Sequence, residues 1–261
     1  MEIKEEFLVD ILKSEKNMVL SGADKYGDYF KHAVEFSNLL DNSIESIDDL
    51  SKYIAVAFLS QVRKHQTLAL FSAVRRHHTQ MSMDLRQVLE AASWMAYAMA
   101  FDEQEKFCKK DVAGNLCITD KLEKAKNDWL DNNYKVKSDE IKRLKQMINE
   151  ATAHANVIYT FQNFETLTDG RHGFYTPFFD FEDDYKVKTD LWLVANIALG
   201  LLDLLYEVNR DYDVFKFADE LLDKREPLVK KNNELKAEMM KHERFKAAQK
   251  KEGLSFANNR L

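Results

Sequence analysis

Seven glycines and two prolines in 261 residues leave this chain little of the punctuation that a sheet-rich fold needs. Average usage of about 7% and 5% would supply roughly 18 and 13. Each strand reversal asks for Gly, Pro, Asn or Asp at special dihedrals, so the deficit argues against an all-β domain and excludes collagen-like and linker-rich classes. What remains is long helices joined by few turns. An apolar share of 45% can fill a core, and the chain lacks the composition of a disordered one. The expected fold is all-α, a multi-helix bundle of about seven to nine helices.

Charge is unevenly placed. The formal net charge is −6, yet residues 224–251 hold ten Lys or Arg against four Glu, which leaves −12 for everything else. A helical bundle domain over 1–212 followed by a basic helical extension over 213–261 fits this division. Cys108 and Cys117 are the two cysteines. The start, Met1-Glu2-Ile3-Lys4-Glu5-Glu6, has no apolar run after it. We therefore expect reduced thiols in a cytoplasmic protein. The longest apolar stretch, Leu191 to Leu205, is interrupted by Asn196 and Asp203 and falls short of the roughly 20 residues a bilayer needs. It reads as a buried core helix, with no membrane as partner.

Helical spacing of apolar residues predicts a helix from Phe7, broken near Ser21-Gly22, and a second from Tyr26 to Leu40. Ser46, with Asp48 and Asp49 behind it, predicts the N-cap of a long helix reaching about His78. Thr79 to Ser82 reads as a soft break before Met83 to Phe101, a helix without charge after Glu90 and so expected at the centre. Thr119 is set to cap a helix to Tyr134, and Ser138 to start the next, ending near His154. Around 157–180, β-branched and aromatic residues flank Asp169-Gly170-Arg171-His172-Gly173, which predicts a short hairpin-like insertion. A helix over Val187 to Asn209 and a last helical segment from Asp213, opened or kinked at Pro227, complete the chain.

Motifs for common chemistries are missing. The sequence has no phosphate-binding Gly-rich loop, no C-x-x-C, H-E-x-x-H or Glu-x-x-His, and no EF-hand loop. We expect neither a metal nor a cofactor. The polar residues that stand out on apolar helices are Arg86 and Glu90, four apart and extended by Ser93 and Tyr97. A carboxylate forced inward must be paired or protonated, so Arg86 is its natural partner, and an intrahelical structural ion pair is the plainer reading. Arg75, Arg76, His77 and His78 form a basic run that suits phosphate or an acidic partner; a solvated helix end is again plainer. His154 closes a helix, where its cation is favoured, and would gain acid–base meaning beside Arg86 and Glu90. The aromatic and acidic stretch Phe161 to Asp184 reads as packing, since its carboxylates repel nucleic acid.

With Arg86-x-x-x-Glu90 on a central apolar helix and His154 closing a later one, residues from about Ser46 to Tyr159 resemble uncharacterised bacterial all-helical proteins similar to the HEPN superfamily. Nucleases of that superfamily carry an Arg and a His with four to six residues between them; the nearest approach here is Asn149-x-x-x-x-His154, with Asn in place of Arg. The resemblance implies an intracellular, often dimeric bundle in a prokaryotic defence or toxin-type system. Under it the protein is a metal-independent RNase, with His154 as general acid and base, Glu90 orienting it, and Arg86 or Arg76 holding phosphate. The alternative is a non-enzymatic interaction or oligomerisation module with a protein partner or a second copy.

Overall fold

The structure, a computed structural model, describes residues 5–47, 49–151, 164–166 and 173–252. Among them are ten α-helices and three two-stranded sheets, so the fold is an all-α bundle. The first half holds α1 (Glu5–Leu20), α2 (Gly22–Tyr26), α3 (Asp28–Asp41), β1 (Ile44–Ile47), α4 (Tyr53–Val74) and α5 (His78–Ala100). Then come β2 (Lys109–Lys110), β3 (Leu116–Cys117), α6 (Asp120–Asn133) and α7 (Lys135–Ala151). The remainder is β4 (Glu165–Thr166), β5 (Phe174–Tyr175), α8 (Asp184–Tyr212), β6 (Phe215–Phe217), α9 (Leu221–Lys241) and α10 (Glu243–Glu252). Two short helices arise at breaks that sequence did not mark. Gly27, at φ +56°, separates α2 from α3, and extended His242 separates α9 from α10.

The helix that sequence puts at the centre is there. α5 packs along α4 as a helical hairpin and also touches α6, α7 and α8. Leu85, Val88, Leu89, Ala92, Met95, Ala96 and Met99 are all buried. α8 supplies the opposite wall through Leu191, Val194, Ile197, Leu201, Leu204 and Leu205, and α3 adds Phe36 and Leu40. By length and composition α8 is, among the described residues, the one helix apolar enough to cross a membrane, and its apolar side is spent on this core. α9 docks on α3 and α8, with Leu221, Asn232, Leu235 and Met239 buried. Asn232 donates to Asn196 and accepts at its carbonyl from Trp192, which fixes the ridge on the body.

Several expected boundaries move, each for a tertiary reason. Ser46 lies in β1, paired with β6, and Asp49 instead caps the short 3-10 turn Leu50–Lys52 by accepting from the Ser51 amide. Thr79 to Ser82 sit inside α5; the break falls at Arg75–His77. There the amides of Arg76 and His77 reach back to Ala73 and Ser72, and Arg76 takes a left-handed φ of +59°. This is a Schellman-type stop with Arg where Gly is usual. Asp180, a hundred residues away, then accepts the His78 amide and caps α5. Ser138 lies within α7, donating to Asp131. Thr119 precedes α6 but makes no side-chain cap bond. Asp213 to Glu220 is not helical: it turns through β6, clamped by Asn209, whose oxygen accepts from Val214 and Phe215. The antiparallel β4–β5 pair falls within the expected insertion at 157–180, while the expected first strand, 157–161, and residues 167–172 lie outside the described residues. Cys108 and Cys117 are free thiols.

Candidate functional site

α5, α6 and α7 meet at a cleft, and the helical period decides what faces it. Arg86, Glu90, Ser93 and Tyr97 share one stripe of α5, and Ser138, Lys142, Lys145 and Asn149 share one of α7. The Arg86 guanidinium donates to Glu90 Oε1 at 3.1 Å and also to Asn149 Oδ1. Lys145 reaches the same Glu90 oxygen at 3.2 Å. Burial works to raise the Glu90 carboxyl, but the Lys145 charge and the hydrogen bonds from Arg86 and Lys145 outweigh it and hold the carboxyl below its usual range. The expected intrahelical pair is thus one edge of a cluster joining two helices.

Beside it lies a residue that motif reading passed over. Lys126 is 1% exposed, with its ammonium 4.6 Å from the centre of the Trp94 ring. Among the described residues no carboxylate lies within ion-pair distance of it. Burial, then the Lys145 charge, push this amine down to about 8. The signal was present in sequence: Lys126 stands four residues from both Leu122 and Leu130, on the buried stripe of α6. The neighbours Ser93 and Asn127 line a cavity of about 290 Å³ with Lys142, Lys145, Gln146 and Asn149. Lys142 is matched by Asp131 at 2.5 Å.

His154, the third member of the expected catalytic set, lies outside the described residues, so its position relative to Arg86 and Glu90 is not part of this geometry. Its sequence companion Asn149 does meet Arg86.

The four residues expected at nucleic acid lie at the α4–α5 connection, where each faces a carboxylate. Arg75 and His77 both reach Glu15 of α1, at 3.3 and 3.4 Å. Arg76 pairs with Glu182 at 3.5 Å. His78 is buried, with Nδ1 2.9 Å from Asp190 and Nε2 2.8 Å from the Lys186 ammonium, an Asp–His–Lys chain across the first turns of α5 and α8. The acidic stretch is spent on the same junction. Asp180 caps α5, Glu182 binds Lys25 and Arg76, and Asp183 caps α8 and binds Arg244. Its aromatics pack there too, with Phe178 and Phe179 against His77 at 5.1 and 5.4 Å between ring centres. His78 and Arg86 are eight residues apart on α5, roughly 12 Å along its axis, so the two expected groups occupy separate sites.

Among the described residues no group of three or more His, Cys, Asp or Glu is placed to hold a metal ion. No protein-family model, curated protein or solved structure matches the chain.

Proposed function

We propose that this is an intracellular HEPN-like helical protein of a nucleic-acid-linked prokaryotic defence or toxin-type system, and that it holds an RNA phosphate at the cleft between α5, α6 and α7. One observation carries the reading: Arg86 and Lys145, from two helices, both bind the carboxylate of Glu90, with the buried ammonium of Lys126 on the neighbouring helix. Among the described residues the cluster has more cations than anions, and the cavity beside it is lined by Lys142, Lys145, three amide side chains and two serines together with Leu130 and Ile141, which suits a phosphate oxygen better than a cationic group. The polar neighbours orient the phosphate, and a metal-independent cleavage step would fall to His154, which follows the last described residue of α7 by three positions. The Arg75 to His78 run can serve only after its carboxylate partners are displaced.

The test is RNA binding and cleavage by the whole chain in EDTA. Lys145→Ala should weaken binding about tenfold and lower the salt slope by about one, and His154→Ala should abolish cleavage. Wild-type protein that binds no RNA at low salt removes the reading; cleavage that survives His154→Ala removes the assigned acid–base role.

An exposed apolar face on α1 favours the second reading, a self-associating module. Phe7 and Leu12 are both 63% exposed, with Leu8 and Leu20 also open to solvent. Apolar side chains gathered on one helix in this way mark interaction surfaces. Sedimentation of wild type against Leu12→Glu is expected to show a dimer that the charge dissociates; a monomer in both excludes it.

A further inference from the structure

α9 is held to the body by few apolar contacts and by a buried polar chain. Of its 21 residues only Leu221, Asn232, Leu235 and Met239 are buried. Three side chains of the body donate to carbonyls of this helix: Trp192 to Asn232, Tyr29 to Leu235 and Tyr185 to Met239, at 3.1, 3.2 and 3.4 Å. A segment that buries so little apolar surface opens before the core does. Asn232 Nδ2 donates to Asn196 Oδ1 at 2.9 Å, which leaves its own Oδ1 towards α3, 3.3 Å from His32 Nε2. His32 is 1% exposed. Since Asn232 offers it an acceptor, Nε2 carries the proton and Nδ1 keeps a bare lone pair. Nδ1 is buried and has no hydrogen-bond partner among the described residues.

We propose that α9, with α10 behind it, is a strap that mild acid releases from α3 and α8, and that the trigger is a proton taken up by His32. The neutral ring fits the dock, because its free lone pair lacks only a donor. Protonation turns Nδ1 into a donor with nothing to accept it and adds a charge where water is excluded, which costs far more. Burial accordingly pushes the imidazole below its ordinary 6.5, and the opposing hydrogen bond to Asn232 does not cancel it.

The charged groups around His32 do not compensate the proton. Asp28 of α3 and Lys231 of α9 pair with each other at 2.5 Å. Lys31 and Glu35, its neighbours on α3, are exposed. α8 presents the neutral Asn196, and Lys188 at 6.0 Å from the centre of the Tyr29 ring. Burial, with Glu238 of α9 nearby, pushes the Tyr29 hydroxyl up to about 12, so it stays neutral. His242, at the α9–α10 break, stacks on Tyr185 at 4.0 Å but is exposed, so docking changes its hydration little. The released strap has the ordinary histidine value and the docked one a lower value. The released state therefore binds more protons between them, and the dock weakens as pH falls below about 6.5, by at most tenfold per pH unit. The ion pairs that also hold the strap, Lys231 to Asp28 and Arg225 to Asp203, use carboxylates, a class that ordinarily titrates near pH 4, below this range. Release uncovers Leu235, Met239 and Trp192, an apolar face that the docked strap covers.

The experiment is hydrogen exchange of the whole chain, read by mass spectrometry on peptides from α9 and α5 at pH 7, 6 and 5 with intrinsic exchange rates divided out. The opening constant of α9 is expected to rise about tenfold from pH 7 to pH 5 while that of α5 stays level. His32→Gln, which keeps a donor for Asn232 and cannot titrate, should leave α9 as protected at pH 5 as at pH 7. Asn232→Asp sets a carboxylate against the ring and should flatten or reverse the dependence, because the charged imidazole then has a partner. A His32→Gln chain whose α9 is already open at pH 7 hands the decision to Asn232→Asp. Opening of α9 that ignores pH in the wild type, or α9 and α5 opening together, overturns the strap. Wild-type pH dependence retained in either variant moves the trigger to another group, His242 first, and overturns the role of His32.

Discussion

Lys126→Met is expected to raise the unfolding free energy at pH 7 by about 3 kcal/mol, one of the two largest single-residue effects we anticipate. The size follows from an amine that titrates at about 8 in the folded protein against an ordinary 10.5. The sign follows from proton linkage. Below pH 8 the amine is charged in both states, and the folded protein bears the full cost of a buried ammonium. Between about pH 8 and 10.5 the unfolded chain binds more protons than the folded one, so wild-type stability climbs with pH as that cost is relieved. Above this window both states are neutral and the advantage of Met disappears. Urea unfolding at pH 7, 9 and 10.5 reads this directly, and a Met variant less stable than wild type at pH 7, or a difference that ignores pH, contradicts the account of Lys126.

The second large effect lies at the other end of α5. His78→Leu is expected to cost about 3–5 kcal/mol, because it strands a buried carboxylate and the ammonium beyond it. His78 and Asp190 have side chains only 10% and 8% exposed, so water cannot replace the lost partner. Replacing both members with apolar residues, His78→Leu with Asp190→Leu, should recover much of the loss, since the penalty belongs to the unpaired charge more than to the missing bond. Denaturant unfolding of the two single variants and the double variant gives the coupling energy. A loss below about 1 kcal/mol for His78→Leu, or strictly additive effects, would show that the buried chain is not what holds α5 to α8.

These two sites show where sequence reading reaches and where it stops. Arg86 and Glu90 were legible as a pair because four residues is one helical turn, and the structure closes that pair at 3.1 Å. Asn149 and Lys145 join them from another helix, and no spacing in the chain announces that contact. Lys126 lies between the two cases. Its place between Leu122 and Leu130 marks a cation on a buried stripe, but only the packed α5 shows that it faces Trp94. The run from Arg75 to His78 reads as one basic patch, whereas the folded chain sends its members to Glu15, Glu182 and Asp190. His154 lies outside the described residues, and its role stays with the proposal.

The paucity of Gly and Pro and the 3.6-residue recurrence of apolar side chains determined that this chain is a helical bundle with α5 at its centre, because both act through a few neighbouring residues and need no knowledge of the rest. Helix ends were decided elsewhere. Thr79 to Ser82 look like a break but stay helical once Asp180 caps His78, and Ser46 looks like a cap but pairs with β6. The charge balance at the cleft was likewise a tertiary decision. A side chain's electrostatic state depends on which groups lie within a few ångströms and how much water is left between them, and for Lys126 those groups come from helices that are distant in the chain.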